Sequence, residues 1–275
     1  MRCSVATPRA WLSWKWPLRP ACAWYPATSL TTTRGVGQLI AAALDEDIHT
    51  ILIGCGDSGT SDGGLGALQA LGVDITDAQG HPLGQGGQYL GDAVHIDMSG
   101  VHPALRKGRV KLVMALNTHN ILTGERGVAR VFGPQKGATP EQVEQLAHGF
   151  EHWARLLSRH CLPSAQGTDF AHGAGTGASG GLGAGLAAVG AQLVSRFTAL
   201  LDSGLAGFDL NRLLADADLV ITAEGALDFQ TPHGKVPAEI ATRAGNLGVP
   251  VVALAGTLGK GAQDVYDIGI DAIAS

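Results

Sequence analysis

From residue 35 onward the chain alternates short apolar runs with longer stretches whose apolar residues recur every three or four positions. Residues 51–53, 110–116, 219–222 and 251–254 read as buried strands, with one more at 271–274. Val36, Leu39, Ile40 and Leu44 share a helix face, as do Leu65, Leu68 and Leu71, with Gly72 where a C-terminal cap belongs. Residues 139–142 carry a helix start: Thr139 can cap, Pro140 fits the first turn and Gln142 completes a capping box. Val143, Leu146, Phe150, Trp153 and Leu157 then form a stripe of core spacing rather than a cofactor box. Residues 73–83 predict two short strands around a turn at Gly80. A helix is expected through Leu186 and Leu193, its face continued by Val194, Phe197 and Leu201, and a short one over 237–243. Strands alternating with helices predict an α/β fold with mainly parallel sheets and flanking helices. Because the strand at 271–274 lacks a covering helix, the C-terminus is expected to be cut.

Composition narrows the function classes. A hydrophobic share of 45% in 275 residues is enough for a sizeable core. The net charge of −5 gives no electrostatic case for nucleic acid or an anionic membrane. Cys3, Cys22, Cys55 and Cys161 show no paired spacing, which indicates neither a disulfide framework nor a zinc site and makes a reducing cytoplasm the simplest compartment. No apolar run approaches the roughly 20 residues that span a bilayer.

The densest candidate chemistry follows the first strand. Gly54, Gly56, Gly59, Gly63, Gly64 and Gly66 fall within residues 54–66, too many for a plain strand-to-helix turn. Such a loop lets backbone approach a ligand, and the helix after it directs N–H groups and a positive dipole end into the loop. Ser58, Thr60 and Ser61 add hydroxyls, and Asp57 and Asp62 carboxylates; an anionic ligand with a metal suits this mixture. The spacing is neither the P-loop nor the dinucleotide fingerprint. A second glycine-rich stretch lies at 173–185, where close packing and ligand contact are both open readings. Glu224 and Asp228 are expected just beyond a strand's carboxyl end, where α/β sheets bind ligands. His148 and His152 have zinc-like i, i+4 spacing but no third ligand nearby, and read as solvated histidines.

Four stretches together resemble the bacterial glycerate kinases of the first type. Residues 54–66 match a loop of the form GxGGSATxDGGxG. Residues 117–138 match a segment like DVxNPLxGxxGAxxxFxPQKGA, with Asn120, Leu122, Gly124, Gly127, Phe132, Pro134, Gln135, Lys136 and Gly137 in place. Residues 173–185 match GAGxxGGxGxG, and residues 222–237 match TGEGxxDxQTxxGKxP. The resemblance runs from about residue 31 to the end. It implies ATP-dependent phosphorylation of a hydroxyl of D-glycerate with Mg²⁺, in two α/β lobes, one flavodoxin-like and one discontinuous. On it, Asp62, Glu224, Asp228 and Lys235 are catalytic candidates, with Asp62, Glu224 and Asp228 candidates for Mg²⁺. Gly54, Gly56, Asp57, Ser58, Gly59, Thr60, Asn117, Asn120, Lys136, Gly180 and Gly181 are candidates for substrate or nucleotide binding. Asp57 stands where the family has Gly, Asn117 where it has Asp, Ala223 where it has Gly, and Ile121 where it has Pro. The expected partner is a small molecule, with neither nucleic acid nor membrane. Two alternatives stay open: a shortened, inactive remnant that only binds nucleotide, and a nucleotide-cofactor oxidoreductase, weakened by the missing fingerprint. Residues 1–30 stand apart, with four of the five tryptophans and no acidic residue; the expectation there is a disordered or frame-shifted segment outside the family region of 31–275.

Overall fold

The computed structural model describes residues 31–56, 58–202, 208–232 and 234–275. The frame-shift reading of residues 1–30 and the candidate Asp57 lie outside them. The chain forms two compact units, which divide between Arg196 and Phe197.

The first unit runs α1 (Arg34–Leu44), β1 (Thr50–Gly54), α2 (Leu65–Ala70), β2 (Asp74–Thr76), β3 (His95–Asp97), α3 (Pro103–Arg106), β4 (Lys111–Leu116), α4 (Val128–Phe132), α5 (Pro140–His160), α6 (Ala178–Ala188) and β5 (Gln192–Ser195). The strands β1, β4 and β5 form a parallel sheet in that order, with Thr50 opposite Lys111 and Val113 opposite Gln192. Its core gathers Met114 and Leu116 with Phe150 and Trp153 of α5, all fully buried. α5 starts as the spacing predicts: Thr139 Oγ1 accepts from the Gln142 N–H, and the Gln142 side chain accepts from the Thr139 N–H.

Two expectations fail here for local reasons. The helix drawn through Leu193 toward Leu201 stops at Ala188, because Gly190 takes a φ of +91°, and Leu193 and Val194 lie in strand β5. Short apolar runs carry no periodicity that separates strand from helix. The hairpin at 73–83 is only a bridge between Thr76 and Pro82; the antiparallel partner of β2 is β3, well beyond the turn.

The second unit runs α7 (Leu210–Ala215), β6 (Val220–Leu227), α8 (Val236–Asn246), β7 (Val251–Leu258) and β8 (Ala272–Ala274), with β6, β7 and β8 parallel in that order. Val220, Val251 and Ala253 pack on Ala241 and Ala244 of α8. Both units are thus α/β with parallel sheets and flanking helices. No helix among the described residues is long and apolar enough to cross a membrane.

Candidate active site

In the first unit the two glycine-rich stretches meet. The loop after β1 continues the sheet for one residue, the Cys55 N–H donating to the Ala115 carbonyl, and then turns across the carboxyl ends of β1 and β4. α6 opens with three residues in the left-handed region, Ser179, Gly180 and Gly181. Gly180 is required twice over. Its φ is +70°, and a β-carbon there would lie 1.9 Å from the Thr60 carbonyl oxygen. The Gly63 N–H donates to the Gly180 carbonyl at 3.0 Å, and Trp153 Nε1 donates to the Gly63 carbonyl at 2.9 Å. The first glycine loop therefore lies between the α6 turn and α5. The second stretch, open between packing and ligand contact on sequence grounds, makes backbone contact with the first.

Lys136 is buried. Its Nζ donates to Ser58 Oγ at 3.0 Å and to the Thr60 carbonyl at 2.7 Å, fixing a positive charge beside the loop. Asn117 follows β4 and its Oδ1 accepts from the His119 N–H, while the Asn120 carbonyl accepts from the Gly177 N–H, tying this segment to the α6 turn. Gly54 and Gly56 are exposed; Ser58, Gly59 and Thr60 are half-buried; Gly180 and Gly181 are buried.

Asp62 corrects the sequence reading. It is 0% exposed, and its carboxylate is fully engaged: Oδ2 accepts from the N–H and hydroxyl of Thr33 and the N–H of Gly66, Oδ1 from the N–H of Gly64. Burial pushes its pKa up, and these four donors pull it back down. No face of this carboxylate is open to a metal or a substrate hydroxyl. It anchors the start of α2 to the start of α1, and Thr33, whose Oγ1 also accepts from the Ala67 N–H, is the partner that sequence reading missed.

Sequence reading also missed Ser179, the single non-glycine described residue with positive φ, at +53°. Its side chain bonds the Cys55 thiol, and burial raises the pKa of that thiol. A serine between alanine and glycine carries no signal of its backbone geometry. The histidine pair does not act together: His152 Nε2 lies 2.6 Å from the Ala93 carbonyl, while His148 points to Glu151 and is largely exposed.

The second unit brings its own candidates together. Glu224 lies within β6 rather than beyond it, because the strand runs on to Leu227, and Asp228 follows directly. Lys235 Nζ lies 3.5 Å from Glu224 Oε2 and 3.2 Å from Asp228 Oδ1. The buried Thr231 hydroxyl donates to Glu224 Oε1 at 2.5 Å. Asp228 Oδ1 also accepts from the Gln230 N–H, and that bond first, then Lys235, holds its carboxyl below the usual range. All three charged side chains remain partly exposed, at 17–31%. Mg²⁺ takes one or two protein carboxylates and completes its shell with phosphates and water. Glu224 and Asp228 fit that donor set; Asp62 does not. Thr231 was visible in the sequence only as part of a motif, without a role.

The model of the glycerate kinase family matches residues 23–275. A glycerate kinase of Halalkalibacterium halodurans is 43% identical over 246 residues, covering 89% of this chain and 62% of its own length. A glycerate kinase of Bacillus subtilis is 42% identical, covering 90% and 62%. The crystal structure of the "putative glycerate kinase 2" of Salmonella typhimurium LT2 superposes with a TM-score of 0.68 at 41% identity, over 91% of this chain and 62% of that one. The chain thus spans a little under two thirds of the length of these relatives, and within that span it belongs to the glycerate kinase family.

Proposed function

We propose that the chain forms the nucleotide- and substrate-handling region of an ATP-dependent kinase that phosphorylates a hydroxyl of D-glycerate. The observation that supports this most is the interlock of the two glycine-rich stretches across the carboxyl ends of β1 and β4, where open α/β sheets take their ligands. Phosphoryl transfer asks for positioning and charge neutralisation more than covalent chemistry. Lys136 fixes a positive charge beside a backbone-rich loop, which favours an anion there. Ser58 and Thr60 offer hydroxyls at the same place. Glu224 and Asp228 hold the Lys235 ammonium, and the three form a charged group suited to a phosphate–metal centre. Mg²⁺, when bound, would neutralise phosphate charge, and Glu224 and Asp228 would hold it. Asp62 keeps the loop in shape without touching substrate.

The test pairs ATP calorimetry with a coupled assay for ADP release in the presence of Mg²⁺ and D-glycerate. Glycerate-dependent ADP, lost on Lys235→Ala with the melting temperature unchanged, is the expected result. A folded chain with no glycerate-dependent ADP overturns it. ATP heat without ADP release would select nucleotide binding alone.

A further inference from the structure

Thr231 stands between the two carboxylates of the second unit and is 0% exposed, so its hydroxyl reaches no ligand. A hydroxyl has one proton to give and lone pairs that receive. The Asp228 N–H donates to Thr231 Oγ1 at 3.1 Å, and the hydroxyl gives its own proton to Glu224 Oε1. The Thr231 N–H donates in turn to the Asp228 carbonyl at 2.9 Å, so residues 228–231 are closed into a turn from both ends. Inside that turn the Gln230 N–H donates to Asp228 Oδ1. One buried residue therefore fixes Glu224 by its carboxylate and Asp228 by its backbone. Threonine suits the task, because its branched β-carbon leaves few rotamers to its hydroxyl. A glutamate held in this way has given up its rotamer freedom before any cation arrives.

We infer that Thr231 is a positioning residue: it sets Glu224 against Asp228 and thereby makes the pair prefer Mg²⁺ to Ca²⁺. The inference rests on the reading of these two carboxylates as metal holders. Mg²⁺ demands near-ideal octahedral geometry at about 2.0–2.1 Å, whereas Ca²⁺ accepts irregular shells at about 2.3–2.6 Å. Loosening the pair therefore costs Mg²⁺ more than Ca²⁺. General damage to the fold would weaken both ions alike.

The experiment uses the full chain and needs no turnover. Water-proton relaxation reads Mn²⁺ held by the chain, alone and with a non-hydrolysable ATP analogue, and competition with Mg²⁺ and with Ca²⁺ reads the preference. In Thr231→Val the Mg²⁺ needed to displace Mn²⁺, corrected for the change in Mn²⁺ affinity, corresponds to about tenfold weaker Mg²⁺ binding or more. Ca²⁺ binding stays within about threefold, and Thr231→Ser restores the parent's preference. Thr231→Ala is read in its place if Thr231→Val does not fold. Arg243→Ala, which breaks a tie of the same unit to Asp202 and Glu239, leaves the preference unchanged. Equal weakening of both ions, no weakening of either, or no rescue by Thr231→Ser overturns the inference while the metal reading stands. A parent that holds no Mn²⁺ in either format overturns the metal reading and this inference with it.

Discussion

The two units solve the same architectural problem to different degrees. In the first, a three-stranded parallel sheet lies in a core where Trp153, Phe150 and Phe170 are all but fully buried. In the second, a three-stranded parallel sheet is covered on one side only among the described residues. Their candidate residues differ accordingly. Those of the first unit are bound mainly into backbone: Lys136 to the Thr60 carbonyl beside the Ser58 hydroxyl, Asp62 to three N–H groups beside the Thr33 hydroxyl, Asn120 through its carbonyl. Those of the second are bound to one another as side chains, Glu224, Lys235, Asp228 and Thr231. The first unit holds its candidates against a glycine-rich loop. The second gathers its candidates into a charged group of side chains.

Substitutions that break this contrast rank by expected cost. The largest effect belongs to Asp62→Ala, which leaves buried N–H groups of Thr33, Gly64 and Gly66 without an acceptor; a loss of about 3–5 kcal/mol is expected in denaturant titration, in the transition of the first unit. Next is Gly180→Ala, at about 2–4 kcal/mol, since the methyl group meets the Thr60 carbonyl and the backbone is left-handed. If either leaves the melting profile unchanged, the cradle is not built as described.

In the second unit Arg243 ties three side chains together, donating to Asp202, Glu239 and Asn211. Arg243→Ala is expected to cost about 1–2 kcal/mol, discounted because Asp202 is partly in water. The Arg243 guanidinium holds the Asp202 carboxyl below its ordinary value. The folded pKa lies below the unfolded one, so this stability is present above the unfolded value of about 3.9 and is lost as pH falls through the folded value. An acid titration of parent and variant should therefore converge at low pH and separate above it. Thr231→Val removes the donor to Glu224 and the acceptor for the Asp228 N–H, at about 1–2 kcal/mol. The smallest effect sharpens the comparison most. Ile221→Lys should change the stability of the chain by less than about 0.5 kcal/mol, because the side chain is already in water. A large loss would show that the open face is covered in the free chain.

The elements were legible wherever length and periodicity were sufficient. α5 has an apolar stripe and a cap, and its start was readable to the residue. The apolar runs at 219–222 and 251–254 read as buried strands; they are strands, with Val220, Thr222, Val251 and Ala253 buried but Ile221 and Leu254 exposed, because an unbroken apolar run does not say which face is covered. β5 was lost because four residues after a glycine carry no period. Asp62 was misplaced because its role depends on Thr33, which lies on another element, and a carboxylate after a run of glycines looks like surface. Ser179 was invisible because a positive φ at a serine is imposed by the packing of the neighbouring glycines on residues 60–63. Chemistry that rests on sequence-distant partners is what local pattern leaves out.

The capped 21-residue α5 also bears on the order in which the chain folds. Its hydrogen bonds are local and its cap is complete within four residues, so it can form on the microsecond scale of helix–coil relaxation. The sheet cannot: pairing Thr50 with Lys111 and Val113 with Gln192 closes long stretches of chain before any ladder bond is made. Trp153 then closes on Gly63 only after β1 has found its place, which sets the glycine loop among the last parts of the first unit to form. In refolding kinetics, Thr139→Ala should slow the folding arm, while Gly180→Ala should mainly speed unfolding. Equal effects on both arms would refute that order.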